Sequence, residues 1–321
     1  MRRRYALAAV GLSVLLTLGG LLVVDLYLHH KYRDLVGMNA WGYRGPVVGK
    51  KQPGEWRIVV LGESTAFGYG VHWTEAWPAQ LERLLTTPER KVTVVNLAYN
   101  NEGAHSYAYT LTDYAYLKAD TVLFYSGYND LGRNTQVYRH ESFLFRWTGY
   151  WPILPLIASE KAMAIRYGGR LEDAYWGRAT TFRPTLAQRT AASALEAGVA
   201  LSRGLDQLGQ PLPRVEMPQT ALCGVWSGYC ERMAVAVRAV LGRQQTPILI
   251  TQPYIHPSHR QQQAALWRYL PNLVSRDLQR IDLGDDVIDL HDPALSYDGM
   301  HLTAAGNAVI ADRVATAVRR K

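Results

Sequence analysis

Apolar residues along this chain fall into three kinds of run, and each predicts a different element. One is continuous. From Tyr5 to Val24 no position carries a charge, and twenty residues make a helix of about 30 Å, the thickness of one bilayer core. Others are short: Arg57–Leu61, Val92–Leu97, Thr121–Tyr125, Pro247–Thr251 and Val287–Leu290 read as brief buried strands. The third kind is periodic and predicts helices near Trp77–Leu85, Ser106–Lys118, Gln261–Leu270 and Thr303–Arg320, with Thr303 as N-cap of a closing helix that starts at Ala304. Strands alternating with helices predict an α/β fold, a flavodoxin-like doubly wound parallel five-stranded sheet. Ligands of such sheets bind beyond the carboxyl ends of the strands.

The alternation fails between about 131 and 242. That stretch holds the aromatics Phe143, Phe145, Trp147, Tyr150 and Trp151, the apolar run Ile153–Ile157 and a long helical pattern over Thr185–Leu208. It reads as a helical, aromatic-rich insertion that caps the domain, lines a pocket or rests on a membrane. The organisation expected is therefore an anchor at 1–30, a juxtamembrane segment at 31–54 and one catalytic domain at 55–321 carrying the insertion.

The flanks of the first run set its orientation. Arg2, Arg3 and Arg4 precede it, whereas Lys31 and Arg33 beyond it are mixed with acids. The positive-inside bias places the bulk of the chain outside the cytoplasm, single-pass, in the cell membrane. The run is long for a signal-peptide core and no small-x-small cleavage site follows Leu28, which favours an uncleaved signal anchor. The net charge of +8 does not imply nucleic acid, because the arginines are spread along the chain without a recognition helix or stacking motif. An anionic membrane surface is a sufficient partner for it. Cys223 and Cys230 are the only cysteines. A disulfide closing that small loop and two buried thiols both fit the spacing, and no zinc-ligand set accompanies them.

The chemistry lies in three short segments. Gly62-Glu63-Ser64 follows the first predicted strand, Gly127-Tyr128-Asn129-Asp130 follows the third, and Asp298-Gly299-Met300-His301 precedes the closing helix. A serine hydroxyl is a poor nucleophile until a base takes its proton, and a histidine base works best when a carboxylate orients it. Gly-x-Ser alone fits a helix cap or phosphate loop equally well. Gly68-Tyr69-Gly70 lacks the spacing of a dinucleotide loop, and no Gly-Lys-Ser/Thr occurs. His291-Asp292 offers a second dyad near the same place, while His105 and His256 read as polar loop residues.

Taken together, Gly62-Glu63-Ser64, Gly103, Gly127-x-Asn129-Asp130 and Asp298-x-x-His301 resemble the four blocks of the GDSL/SGNH hydrolases, in that family's order. The approach Asn39–Gly45 and the segment Trp77–Leu81 resemble a bacterial, membrane-anchored branch. The resemblance implies Ser64 as nucleophile, His301 as base and Asp298 as its orienting acid. It implies an oxyanion hole from the N–H of Ser64, the N–H of Gly103 and the amide of Asn129, and no cofactor or metal. Two positions depart from the pattern. Glu63 stands where an aspartate is usual, and the stretch from Asn96 to Gly103 is slightly long. The activity implied is hydrolysis of a carboxylic ester, small-molecule, lipid or glycan-linked. An O-acyltransferase would use the same residues, and a non-catalytic anchored binding or scaffolding protein would keep the fold without the chemistry.

Overall fold

The computed structural model describes residues 2–132, 137–170, 179–206, 222–272, 278–285 and 287–319. Parts of the stretch read as an insertion, namely 133–136, 171–178 and 207–221, lie outside the described residues. In chain order the helices are α1 (Arg2–Lys31), α2 (Ser64–Phe67), α3 (Trp77–Leu85), α4 (Ala104–Asp113), α5 (Phe143–Thr148), α6 (Leu154–Arg166), α7 (Leu186–Asp206), α8 (Ser227–Leu241), α9 (Pro257–Tyr269) and α10 (Ala304–Arg319). The strands are β1 (Trp56–Gly62), β2 (Val92–Asn96), β3 (Thr121–Tyr125), β4 (Thr246–Ile250) and β5 (Gln279–Ile281).

All five strands run parallel in one sheet of order β2-β1-β3-β4-β5. Strand β3 is buried at every position, as is β1 after Trp56, because helices cover both faces of a parallel sheet. The chain winds one way from β1 to β2 and the other way from β1's far neighbour β3 onward. The crevice beyond β1 and β3 is thus the switch point at which such sheets bind ligands. The apolar spacing of α3 explains its place: Trp77, Leu81 and Leu85 recur every fourth residue and are all buried. Its first N–H, on Trp77, donates to Asn307 Oδ1 of α10 at 2.9 Å, which ties the two helices together.

One strand differs from the expectation. The run Val287–Leu290 is not a strand; β5 is the less apolar Gln279–Ile281, paired with Ile248–Ile250. Strand pairing extends beyond β4, where Thr251 N–H reaches the Ile281 carbonyl at 3.0 Å and Leu283 N–H reaches Thr251 Oγ1 at 2.7 Å. Of the apolar side chains in 287–290, Ile288 lies against Gly306 of the closing helix instead. Packing on a helix satisfies an apolar side chain as well as a strand does, and apolarity alone does not distinguish them.

The chain divides into two compact units, Asp34–Glu141 with Leu212–Lys321, and Met1–Arg33 with Ser142–Pro211. The first holds the sheet. Met38, Tyr43 and Arg44 are buried in it, so most of the segment read as juxtamembrane is part of that unit. Helix α8 also belongs there, packed on α4 and β4, and a disulfide joins its Cys230 to Cys223.

The second unit holds α1, α5, α6 and α7, with α6 packed along α7. Helix α1 is long and apolar enough to cross a membrane by length and composition, and its side chains from Arg4 to Val24 are exposed.

Candidate active site

Ser64 opens α2 directly after β1, behind Glu63 in extended conformation. The tight turn requires Gly62, where a Cβ would stand 2.5 Å from the Ala66 Cβ and 2.6 Å from the Tyr125 carbonyl oxygen. This geometry lifts the Ser64 hydroxyl out of the sheet at the switch point. His301 and Asp298 arrive from a turn between 296 and 302, closed by the bridge Ser296–Leu302. It is held to α10 by Thr303, whose Oγ1 accepts the Gly306 N–H at 3.2 Å as the expected N-cap.

The three side chains form one hydrogen-bonded line. His301 Nε2 lies 2.8 Å from Ser64 Oγ, and His301 Nδ1 lies 2.6 Å from Asp298 Oδ2. The other Asp298 oxygen accepts the N–H groups of Met300 at 2.9 Å and His301 at 2.7 Å. A carboxylate is an acceptor only, so the network assigns the ring proton to Nδ1 and leaves the Nε2 lone pair facing the serine O–H. Burial works against the Asp298 charge, but the bonds from the His301 ring and backbone outweigh it and hold its pKa below the ordinary value. Asp298 is therefore held as an anion beside the His301 ring. Tyr297 stacks on the His301 ring at 5.8 Å and Tyr69 leans on it at 5.2 Å, with Tyr297 Oη donating to the Tyr69 carbonyl at 2.9 Å.

Asn129 and Gly103 meet at the same end of the sheet. Asn129 Nδ2 donates to the Glu102 carbonyl at 2.8 Å, and the other amide hydrogen meets no acceptor among the described residues. Gly103 precedes α4 and lies against Asp130, whose Oδ2 accepts the Ala104 N–H at 3.0 Å. A Cβ on Gly103 would sit 2.7 Å from that oxygen, so the close approach needs glycine.

Four features of this site were not visible as functional in the sequence. Glu63 is fully buried, and its two oxygens accept the N–H groups of Gly127 at 2.8 Å and Asn129 at 2.9 Å. It fastens the serine turn to the asparagine loop. Burial, followed by the neighbouring Asp130, raises its pKa; burial likewise raises that of Asp130. The glutamate side chain spans from one strand end to the next. Glu102 pairs with the buried Arg139 at 2.9 Å, and Arg139 also donates to the carbonyls of Gly42 at 2.8 Å and Leu97 at 2.7 Å. This braces the long stretch between Asn96 and Gly103.

Arg44 is buried and meets no carboxylate among the described residues. It donates to the carbonyls of Phe67, Gly68, Val71, Leu35 and Val36, so the approach segment caps the helix that Ser64 begins. The fourth feature is the Tyr69–Tyr297 pair. Only Tyr297 carried a signal, through its place directly before Asp298. The alternative dyad does not take part: His291 is exposed, and its N–H bonds Asp289. His256 caps α9 by accepting the Ser258 N–H at 3.2 Å, and His105 lies in α4 beside Tyr109 rather than in a loop.

No protein-family model matches this chain, and no curated protein matches it. Among solved structures, the chain path is similar to that of a lipolytic protein of the G-D-S-L family from Desulfitobacterium hafniense, with 12% identity and a TM-score of 0.44 over 81% of this chain and 98% of that one. It is similar to a psychrotrophic esterase from Pseudoalteromonas, in a structure inhibited by monoethylphosphonate, with 9% identity and a TM-score of 0.44 over 82% and 97%. It is also similar to an acetylxylan esterase from Geobacillus stearothermophilus, with 14% identity and a TM-score of 0.43 over 82% and 94%.

Proposed function

We propose that this chain is a membrane-anchored serine esterase of the SGNH type, hydrolysing a carboxylic ester outside the cytoplasm. The unbroken line Asp298–His301–Ser64 carries the reading. Ser64 Oγ attacks the ester carbonyl carbon while His301 Nε2 takes its proton. The carbonyl oxygen becomes an oxyanion that the N–H groups of Ser64 and Gly103 and the second amide hydrogen of Asn129 receive. The C–O bond to the alcohol then breaks, and Nε2 gives its proton to the departing oxygen. A water attacks the acyl-serine, loses its proton to the same nitrogen, and Ser64 recovers a proton as the acid leaves. Asp298 holds the ring and stabilises the imidazolium without taking the proton. Donors of this kind act on charge that exists only in the transition state.

The anchored, exported placement is supported by α1, by the three arginines ahead of it and by the Cys223–Cys230 bridge, which suits an oxidising compartment. The test is intact-mass and peptide mapping after a fluorophosphonate, followed by a p-nitrophenyl ester chain-length series. A single adduct on Ser64 with ester turnover is expected. An adduct elsewhere, or none on folded protein, overturns the assignment. Fusions of alkaline phosphatase and of a cytoplasm-only fluorescent reporter to the C-terminus test the placement, and fluorescence without phosphatase activity would put the domain inside.

A further inference from the structure

We propose, on the anchored reading above, that the outer face of α5, formed by Phe143, Leu144 and Trp147, lies in the membrane–water interface as a second, shallow lipid contact beside the spanning helix. Trp147 stands four positions after Phe143 and three after Leu144, so the three side chains share one side of the helix. They are 45%, 39% and 75% exposed, and the Phe143 and Trp147 rings lie 5.7 Å apart. The opposite side of α5 is fixed: Phe145 is buried and meets Trp151 edge-on at 6.0 Å. The apolar face is therefore presented outward by a braced helix.

What it meets follows from where α1 leaves the bilayer. Asp25 is the first charge after the uncharged run from Tyr5 to Val24, so it marks the level at which hydrocarbon ends. Its carboxylate is held by the segment that follows α5. Tyr150 Oη donates to Asp25 Oδ2, and the Leu154 N–H donates to Asp25 Oδ1 at 2.6 Å. His29, one turn further along α1, lies 3.1 Å from the Trp151 carbonyl. Only Gly149, in a left-handed conformation, separates α5 from Tyr150. The helix is thus tied to the height of Asp25, within the headgroup layer.

Tryptophan and phenylalanine rings settle at that depth, and the exposed Arg146 in the same turn suits anionic phosphates there. A protein partner could also cover an apolar face. Lipid is favoured because α1, in the same compact unit, fixes the level.

Nitroxide depth measurement tests this on the full-length protein in phosphatidylcholine–phosphatidylglycerol vesicles. Cys223 and Cys230 are bridged, so a thiol label goes to an introduced cysteine. Trp147→Cys and, separately, Phe143→Cys should show collision with oxygen several-fold favoured over collision with a water-soluble nickel chelate, relative to free nitroxide in buffer. Leu15→Cys, mid-span in α1, reports the anchor. Lipid-like behaviour at 15 with water-like behaviour at 147 and 143 overturns the interfacial contact alone. Water-like behaviour at 15 removes the anchor, and the contact with it.

Discussion

Glu63 lies outside the triad, yet its replacement should damage both stability and turnover. Its carboxylate is fully buried and accepts two backbone N–H groups, from Gly127 and Asn129. Glu63→Ala leaves both donors buried without an acceptor, at roughly 1–3 kcal/mol each, and opens a cavity whose cost adds to that. Glu63→Gln keeps one acceptor oxygen but turns an NH2 toward the other N–H, so about one such penalty remains. The order of stability should be wild type, then Gln, then Ala.

The catalytic effect follows from what the two bonds hold. Asn129 N–H is fixed by Glu63, and the Asn129 amide is fixed by the Glu102 carbonyl. Releasing the backbone misplaces the amide, and loss of one oxyanion donor is worth about 10²–10³ in kcat. Glu63→Gln should lower kcat by about tenfold or more, part of that full loss, with KM little changed. Asn129→Ala added to Glu63→Gln should cost less than it does alone, because the donor it removes is already displaced. Steady-state kinetics on a p-nitrophenyl ester, with urea unfolding in parallel, read both effects. Wild-type kcat and unfolding midpoint in Glu63→Ala, or strictly additive losses in the double variant, would refute the bracing role.

Other substitutions probe the remaining parts. Ser64→Ala and His301→Ala should each cut turnover by orders of magnitude and the pair by little more, since triad members act as a unit; additive losses would mean that they do not share a step. Arg44→Met leaves a set of buried carbonyls without their donor and should lower stability in urea unfolding by about 1–3 kcal/mol for each carbonyl that stays buried and unsatisfied, and an unchanged midpoint would show those bonds contribute nothing. His259 is fully buried between Tyr128 and Tyr254, its ring nitrogens meet no partner among the described residues, and burial lowers its pKa from 6.5 to about 4. The fold keeps it neutral while the unfolded chain takes a proton, so stability is lost as pH falls from 6.5 toward 4, by about 3 kcal/mol in all. His259→Phe should remove that part of the acid sensitivity, and identical pH dependence in variant and wild type would disprove it.

How much of this was legible in the sequence depends on how local each signal is. Gly62-Glu63-Ser64 and Asp298-x-x-His301 are legible because each is a short turn whose residues fix their own geometry. Asp298 binds the two N–H groups of its own turn, and Gly62 is required by a contact with Ala66 four residues on. The four longer strands are legible because a fully buried strand is a continuous apolar run. Strand β5 is not, because at the sheet edge the polar Gln279 is half-buried and Arg280 faces water, while a more apolar run follows nearby. The bracing contacts were illegible for the same reason in stronger form: Glu63 to Asn129, Glu102 to Arg139 and Arg44 to the end of α2 join residues 23 to 66 positions apart. A charged residue destined for burial looks like a solvated one until its partners are known.

That asymmetry has a chemical basis. On the proposed reading, the reacting groups depend on short turns and are written in motifs, whereas the rigidity that would keep an oxyanion donor in place depends on buried carboxylates and guanidinium groups gathered from distant segments. A chain carrying Ser64, His301 and Asp298 with Glu63 or Arg139 lost would keep every motif residue of the triad. It would still lack a fixed place for the developing charge, and so most of what separates a hydrolase from a folded relative that only binds.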